Sequence, residues 1–257
     1  MPDLTLDQQT SRPEVAATRT VGVVVVTFDS AQHVGSALAA LASERHEVSV
    51  VVVDNASRDH TVATVRAAHP DALVVASDTN EGFARACNRG VQALAGAATG
   101  EPDLVLFLNP DTVLDPGALD VAVAHLDRDP GIGALGGRTR HEDGSLNSTC
   151  CFARPTLWSA FCYASGLASL QRGSSLLNPE QMGGWDRNDT RDVDVVTGCF
   201  LLMRTTDYHR VGAFDEDFFL YSEDTDLSTR LRSLGLRCVH AHDVGLGVDV
   251  GPVHDAE

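Results

Sequence analysis

The sequence predicts an α/β fold with a mainly parallel central sheet flanked by helices. Two observations carry this. Near-continuous β-branched or apolar runs occur at residues 21–27, 48–53 and 104–108, the pattern of strands buried on both faces of a parallel sheet. Segments of helical periodicity separate them, as βαβ units require. With 257 residues and 43% hydrophobic content, the chain can bury a core without disulfide or metal staples.

Taken in order, residues 1–19 are polar and aperiodic, and read as a disordered leader. Strand 21–27 is followed by a helix over 34–43, a strand over 48–53 ending at Asp54, a helix over 59–68 and a short strand at 72–76. In the next helix, 82–94, Phe83, Cys87, Val91 and Leu94 share one face, while Arg85 and Asn88 share another. Strand 104–108 leads to Asn109-Pro110-Asp111, then to a helix over 116–128 and a strand near 132–136. Residues 138–190 lose periodicity and read as an irregular insertion with a helix near 156–170. Order returns with strands at 193–196 and 199–203 and a helix starting near Glu223, with Leu227, Leu231 and Leu234 as its apolar stripe. One domain over 20–257 is expected, its 20–137 half serving one ligand and its 138–257 half another.

Composition excludes several functions. The net charge is −17, and all 19 cationic side chains are arginine. No basic run offers phosphate contacts to nucleic acid or anionic lipid. No stretch reaches the ~20 apolar residues of a membrane span, and the N-terminus lacks the pattern of a signal peptide. The six cysteines, Cys87, Cys150, Cys151, Cys162, Cys199 and Cys238, form no CxxC pair. They read as reduced thiols, and the expected localisation is cytoplasmic.

In parallel α/β sheets, ligands bind beyond the carboxyl ends of the strands. Three such ends carry polar groups here: Thr27-Phe28-Asp29, Asp54-Asn55 and Asn109-Pro110-Asp111. Each alone reads as a turn or cap; on successive strands they mark one rim. GxxxxGK[ST] is absent, and the one GxGxxG match, residues 131–136, falls in the strand expected near 132–136 and not at a strand-to-helix turn, so a dinucleotide fold or P-loop is unsupported. Without lysine, a divalent cation is the natural partner for a diphosphate, and Asp111 is a suitable ligand. In the segment 212–227, Ser222 is placed to cap a helix whose first turn holds Glu223 and Asp224, where the dipole favours ionised carboxylates. Because successive helical residues diverge by about 100°, only one of these two is expected to face a reacting centre.

The segments VVVVTFDS, VVVDNASRD, NEGFARACNRG, FLNPDT, VTGCFLLMR and VGAFDEDFFLYSEDTDLSTRLR occur in an order and spacing that resemble glycosyltransferase family 2, especially its rhamnosyltransferase-like branch. That resemblance implies the GT-A fold and inverting, metal-assisted transfer from a nucleotide-diphosphate sugar, TDP-rhamnose being one such donor. The acceptor hydroxyl would belong to a glycan, a lipid-linked glycan or a small molecule. It implies that Thr27 and Asp29 line the nucleotide pocket, that Asp54 binds base or ribose, and that Asn80, Gly82, Phe83, Arg85, Asn88 and Asn109 complete the donor wall. It implies Mg²⁺ or Mn²⁺ at Asp111, Asp224 as general base, and Gly198, Cys199 and Glu223 near the acceptor. Homodimer formation is a further expectation. The aromatics of the insertion, Trp158, Tyr163 and above all Trp185, are expected to contact the acceptor.

The sequence departs from the family pattern at Asp29, where asparagine is usual, at Asn109 in place of a carboxylate, and in its short tail. His240, His242 or His254 would complete the metal shell there. A non-catalytic sugar-nucleotide-binding protein and, with less support, a nucleotidyltransferase are the alternatives.

Overall fold

In the computed structural model, which describes residues 18–41, 45–171 and 173–249, the valine runs become the sheet's central strands. The elements are β1 (Thr20–Thr27), α1 (Val34–Ala39), β2 (Glu47–Asp54), α2 (Thr61–Ala68), β3 (Leu73–Ala76), α3 (Phe83–Ala95), β4 (Leu104–Leu108), β5 (Thr112–Leu114), α4 (Ala118–Arg128) and β6 (Ile132–Arg140). They continue through β7 (Cys151–Phe152), α5 (Leu157–Ala164), α6 (Leu167–Leu170), β8 (Arg191–Val193), β9 (Val195–Val196), β10 (Phe200–Arg204), α7 (Thr205–Val211), α8 (Glu223–Ser233) and β11 (Arg237–Val248). The main sheet has order β3-β2-β1-β4-β10-β6-β11-β5, with β8 also paired to β11. It is parallel across β3-β2-β1-β4 and between β6 and β11. β10 enters antiparallel between β4 and β6.

Strand pleating sends alternate residues to opposite faces, and both faces are covered. Val21, Val23, Val25, Val50 and Val52 join one core with residues of α1, α2 and α4. Val24, Val26, Val51 and Val53 join the other with residues of α3, α7 and α8. Each such buried side chain contributes about 1.5–3 kcal/mol. This two-sided burial is the reason these strands show no polar alternation in sequence.

Several expectations are corrected. Of the expected leader, residues 1–17 lie outside the described residues, and β1 begins at Thr20, where that leader is expected to end. The helix expected over 34–43 ends at Ala39; Ala42 and Ser43 lie outside the described residues. The helix near 156–170 is two helices, because Gly166 adopts φ 77° between α5 and α6. Leu234 is not part of the α8 stripe: it caps the helix C-terminus and is 38% exposed. The tail carries no predicted element. Through Val248 it forms β11, interior to the sheet, with Val239, Ala241, Val244 and Leu246 buried and a register shift between Ala241 and Gly245. That shift breaks the period-two pattern, which is why the strand escaped a reading by alternation. The short β5 and α7 also escaped it.

α3 packs directly on β1 and β2. A Cβ at Gly90 would collide with Val24 and press to 3.3 Å from Val53 Cγ2. Gly90→Ala therefore loses more to overpacking, typically ~1–3 kcal/mol, than it gains from helix propensity, ~1 kcal/mol. At Gly96 a Cβ would meet only ordinary contacts at 3.5 and 3.7 Å. Urea midpoints are expected to fall for Gly90→Ala and to hold or rise for Gly96→Ala; equal effects would refute the close helix–sheet approach.

Candidate active site

The carboxyl ends of β1, β2 and β4 meet the segment before α8 in one cleft. Its first half is a cavity of about 450 Å³ lined by Asp29, His33, Asn55, Asn80, Gly82 and Asp111 among others. Its second half, about 420 Å³, is lined by Thr197, Gly198, Cys199, Glu223 and Asp224. Phe83, Asn109 and Leu220 line both halves, so the two form a continuous site.

Asp29 sits at φ 50°, and its carboxylate accepts the Arg58 N–H at 2.6 Å. Asn55 donates to the Gly82 carbonyl at 3.1 Å, and Asn80 accepts the Gly82 N–H at 3.0 Å. Gly82 has φ +86°, and any Cβ there would strike the Phe219 backbone. This absence of a side chain lets the Phe83 N–H reach the Phe219 carbonyl at 2.9 Å, which ties the strap over the cleft to the start of α3.

Four expected donor-wall residues do not line the cleft. Thr27 is fully buried and donates to Asp54 at 2.9 Å. Asp54, 3% exposed, also accepts the Ser57 hydroxyl and N–H, so both its oxygens are engaged beneath the floor. Asn88 is buried and uses its full amide: it donates to Phe214 O and Glu216 Oε1, each at 3.0 Å, and accepts from Phe214 N–H and Tyr208 Oη–H. It holds the segment leading to the acidic helix. Arg85 points to solvent and pairs with Glu216 at 3.2 Å.

Asp111 is half-buried, and burial pushes its carboxyl above the ordinary value; the His33 charge opposes this and the Asp249 charge adds to it. Asp249 donates its N–H to the Asp111 carbonyl at 2.8 Å, and its carboxylate lies 3.7 Å from His33 Nδ1. That nitrogen is buried without a hydrogen-bond partner. Asp111, His33 and Asp249 thus lie near one another beyond β4 and carry donors of the kind Mn²⁺ or Mg²⁺ takes, although their three ligand atoms do not all lie within 4.8 Å of one another. Neither His33 nor Asp249 stands in a segment whose pattern marks a metal ligand in sequence, whereas the tail histidines His240 and His242 do not reach Asp111. His240 is instead buried against Trp185, with ring centroids 5.0 Å apart, and His242 contacts Thr190 at 3.0 Å. His254 lies outside the described residues.

Ser222 does not cap α8 through its side chain. Tyr221 and Ser222 instead take φ 67° and 73°, a costly pair of left-handed residues. This turn presents both Glu223 and Asp224 to the second half of the cleft, so the helix geometry does not select one, as the sequence had suggested. Burial raises both carboxyl pKa values; for Glu223 the Asp224 charge adds, and for Asp224 the N–H groups of Thr225 and Gly198 oppose. Glu223 Oε2 is buried without a partner.

Trp185 is absent from both halves of the cleft. Arg191 lies 4.3 Å from its ring centroid, its Nε1–H donates to Asp189 at 2.6 Å, and it lines a separate cavity of about 540 Å³ with Tyr163. Trp158 stacks on Phe161 and donates to the Leu176 carbonyl at 2.7 Å. Trp158 is thus engaged within the insertion and Trp185 with residues of β8 and β11, while Tyr163 is 83% exposed.

The family described as "Glycosyltransferase like family 2" matches residues 18–246. The chain is 33% identical over 240 residues to the N-acetylglucosaminyl-diphospho-decaprenol L-rhamnosyltransferase of Mycobacterium tuberculosis, covering 85% of this chain and 72% of that protein. It is 24% identical over 218 residues to the rhamnosyltransferase WbbL of Escherichia coli, covering 84% and 78%. Among solved structures it is similar to the mannosyltransferase PcManGT from Pyrobaculum calidifontis in complex with GDP-Man and Mn²⁺, with TM-score 0.61 and 21% identity over 95% of this chain and 60% of that one. S. aureus TarS 1-349 in complex with UDP-GlcNAc follows with TM-score 0.58 and 18% identity, covering 89% and 58%.

The raised pKa values have a consequence for stability. A carboxyl whose pKa folding raises costs stability above its folded pKa, and costs nothing below its unfolded value near 4. Glu223→Gln and Asp224→Asn are each expected to raise the Tm at pH 7 by a few degrees, at ~2–4 °C per kcal/mol for a chain of this size. The gain should vanish as the pH falls to about 4. A lower Tm for both at pH 7 would mean that the carboxylates are structurally satisfied.

Proposed function

This chain belongs to glycosyltransferase family 2 and has the GT-A fold, and from that premise we propose that it transfers L-rhamnose from TDP-rhamnose to a hydroxyl of a polyprenyl-diphosphate-linked glycan, with inversion. Glycosyl transfer from a nucleotide sugar is the activity of the family. The observation that carries the finer reading is the single cleft with Asp111 in one half and Asp224 in the other, joined through Phe83, Asn109 and Leu220. A donor lying across that junction would put its diphosphate beside Asp111 and its anomeric carbon toward Asp224.

In this reading Asp29, Asn80 and the exposed Phe28 hold the nucleotide. Asp54 acts from below, tying the end of β1 at Thr27 to the loop at Ser57. Asp111, Asp249 and His33 would hold the divalent cation, whose charge offsets the negative charge of the departing diphosphate in a chain without lysine. The acceptor oxygen forms its bond to the anomeric carbon as the bond to the diphosphate oxygen breaks, and its proton passes to Asp224. Attack from the face opposite the leaving group inverts the centre. Glu223, beside it, orients the acceptor hydroxyl. The lipid-linked acceptor is supported by the name of the mycobacterial relative and by the apolar side chains that α5 and α6 expose, Leu157, Phe161, Tyr163 and Leu170. No helix among the described residues is long and apolar enough to cross a membrane.

The central test assays transfer from a panel of nucleotide sugars, including TDP-rhamnose, to polyprenyl-diphosphate-linked N-acetylglucosamine. Asp224→Asn is expected to lower kcat by ~10²-fold or more with donor Kd unchanged. Because burial raises the Asp224 pKa, wild-type activity should fall with acid at a pH above the ordinary carboxylate range. Near-normal kcat in Asp224→Asn would remove it as the base; transfer from other donors alone would overturn the rhamnose assignment.

The metal is tested separately. EDTA should abolish transfer and Mn²⁺ restore it. Asp249→Asn should raise the Mn²⁺ concentration needed for half-maximal rate by ~10-fold or more, since removing one ligand weakens a site without erasing it. Full turnover in excess EDTA is the result that would defeat this assignment.

A further inference from the structure

Behind the acceptor half of the cleft lies a cluster that the transfer reaction does not use. Cys150 ends a 3-10 turn over Ser148–Cys150, and Cys151 opens β7. Adjacent residues of an extended strand point to opposite faces. Here the junction of turn and strand brings both sulfurs to 4.0 Å. His240 of β11 completes the group: one ligand atom from each residue lies within 4.8 Å of the others. All three side chains are buried, at 1%, 0% and 0% exposure.

We infer that Cys150, Cys151 and His240 form a binding site for a thiophilic metal ion, zinc, which fastens the 138–190 insertion to the central sheet. Zinc–sulfur bonds of about 2.3 Å place two thiolates on one ion roughly 3.8–4.0 Å apart, which is the separation seen. Two sulfurs and an imidazole select zinc or Cu(I) over the oxygen-seeking Mg²⁺ and Mn²⁺. His240 Nδ1 is buried with no hydrogen-bond partner, while Nε2 makes only a 3.3 Å contact with the Arg187 carbonyl. An unpaired ring nitrogen inside a core is costly to a protein, and metal ligation would satisfy it.

The surroundings fit thiolates. Arg187 is 2% exposed, gives its two terminal nitrogens to the Trp185, Ser148 and Gln181 carbonyls, and keeps Nε buried without a partner. Its positive charge acts on Cys151, and among the described residues it forms no ion pair with a carboxylate. A buried guanidinium calls for a nearby anion, which the sulfurs supply. The ion would also brace the cleft. The Cys150 carbonyl accepts both the N–H and the hydroxyl of Thr197, at 3.3 and 3.1 Å, and Thr197 lines the acceptor half. This site is independent of the cation assigned to Asp111.

The full chain, held in a reductant that does not bind metal, is titrated with Zn²⁺ against a chromophoric chelator and, separately, with Co²⁺ while the absorption spectrum is recorded. The expected result is about one tight zinc per chain and a cobalt spectrum with a thiolate charge-transfer band, the signature of sulfur ligation. Cys151→Ser and His240→Ala should each weaken zinc binding by ~100-fold or more, as loss of a direct ligand exceeds the 10–100-fold typical of outer-sphere losses. Cys238→Ser, a buried cysteine outside the cluster, and Asp111→Asn should leave it unchanged. Should Cys151→Ser fail to fold, the wild-type cobalt spectrum still decides. A folded wild-type chain with no charge-transfer band would overturn the site. So would an intact mass two hydrogens short, with Cys150 and Cys151 joined as a disulfide.

Discussion

Residues 21–27 of β1 are buried without exception, and the cleft depends on that burial. Helices on both faces hold β1 in register with β2 and β4, pairing Thr27 with Asp54 and Val25 with Leu108. A strand buried on both faces cannot slip by one residue without exchanging its two cores, so the register is strongly specified. The polar residues that follow each strand end are therefore brought to one rim. Thr27 and Asp54 bond to each other just beneath it, and Asp29, Asn55, Asn109 and Asp111 emerge above.

The second half of the cleft is attached through a few polar contacts of high sequence separation. Asn88 of α3 holds the backbone at Phe214 from 126 residues away, and Phe83 N–H holds Phe219. Phe214 packs edge-on against Phe107 and Tyr208 around that anchor, and those two rings meet at a tilt. Between the anchor and α8 the chain passes through Tyr221 and Ser222 in left-handed conformations. Such strain persists only where the surroundings over-determine it, and here the anchors on one side and the buried Leu227 and Leu231 on the other do so.

Charge sets the remaining constraint. The protein carries −17 overall, yet Asp111, Glu223 and Asp224 are each partly withdrawn from water, and burial raises all three carboxyls. A site of this kind is costly in the free protein and is relieved by ligands that bring positive charge or take up a proton. The stability lost there is offset by the two hydrophobic cores, a division between scaffold and site common to proteins whose function lives on strand-end loops.

The sequence by itself determined the layered α/β scaffold, since near-continuous valine runs of strand length separated by helical segments fit strands buried on both faces. It also determined which segments carry the polar rim, because strand ends were legible at Thr27, Asp54 and Asn109. The tertiary structure decided which of those residues reach the cleft. Burial of Thr27 and Asp54, full satisfaction of Asn88 and the solvent-facing pair of Arg85 with Glu216 follow from contacts dozens of residues apart, and local pattern carries no such information. It decided, too, that β11 would bring Asp249 to Asp111 and His240 to Cys150 and Cys151. A strand interrupted by a register shift hides its periodicity, and only its neighbours in the sheet reveal where its side chains go.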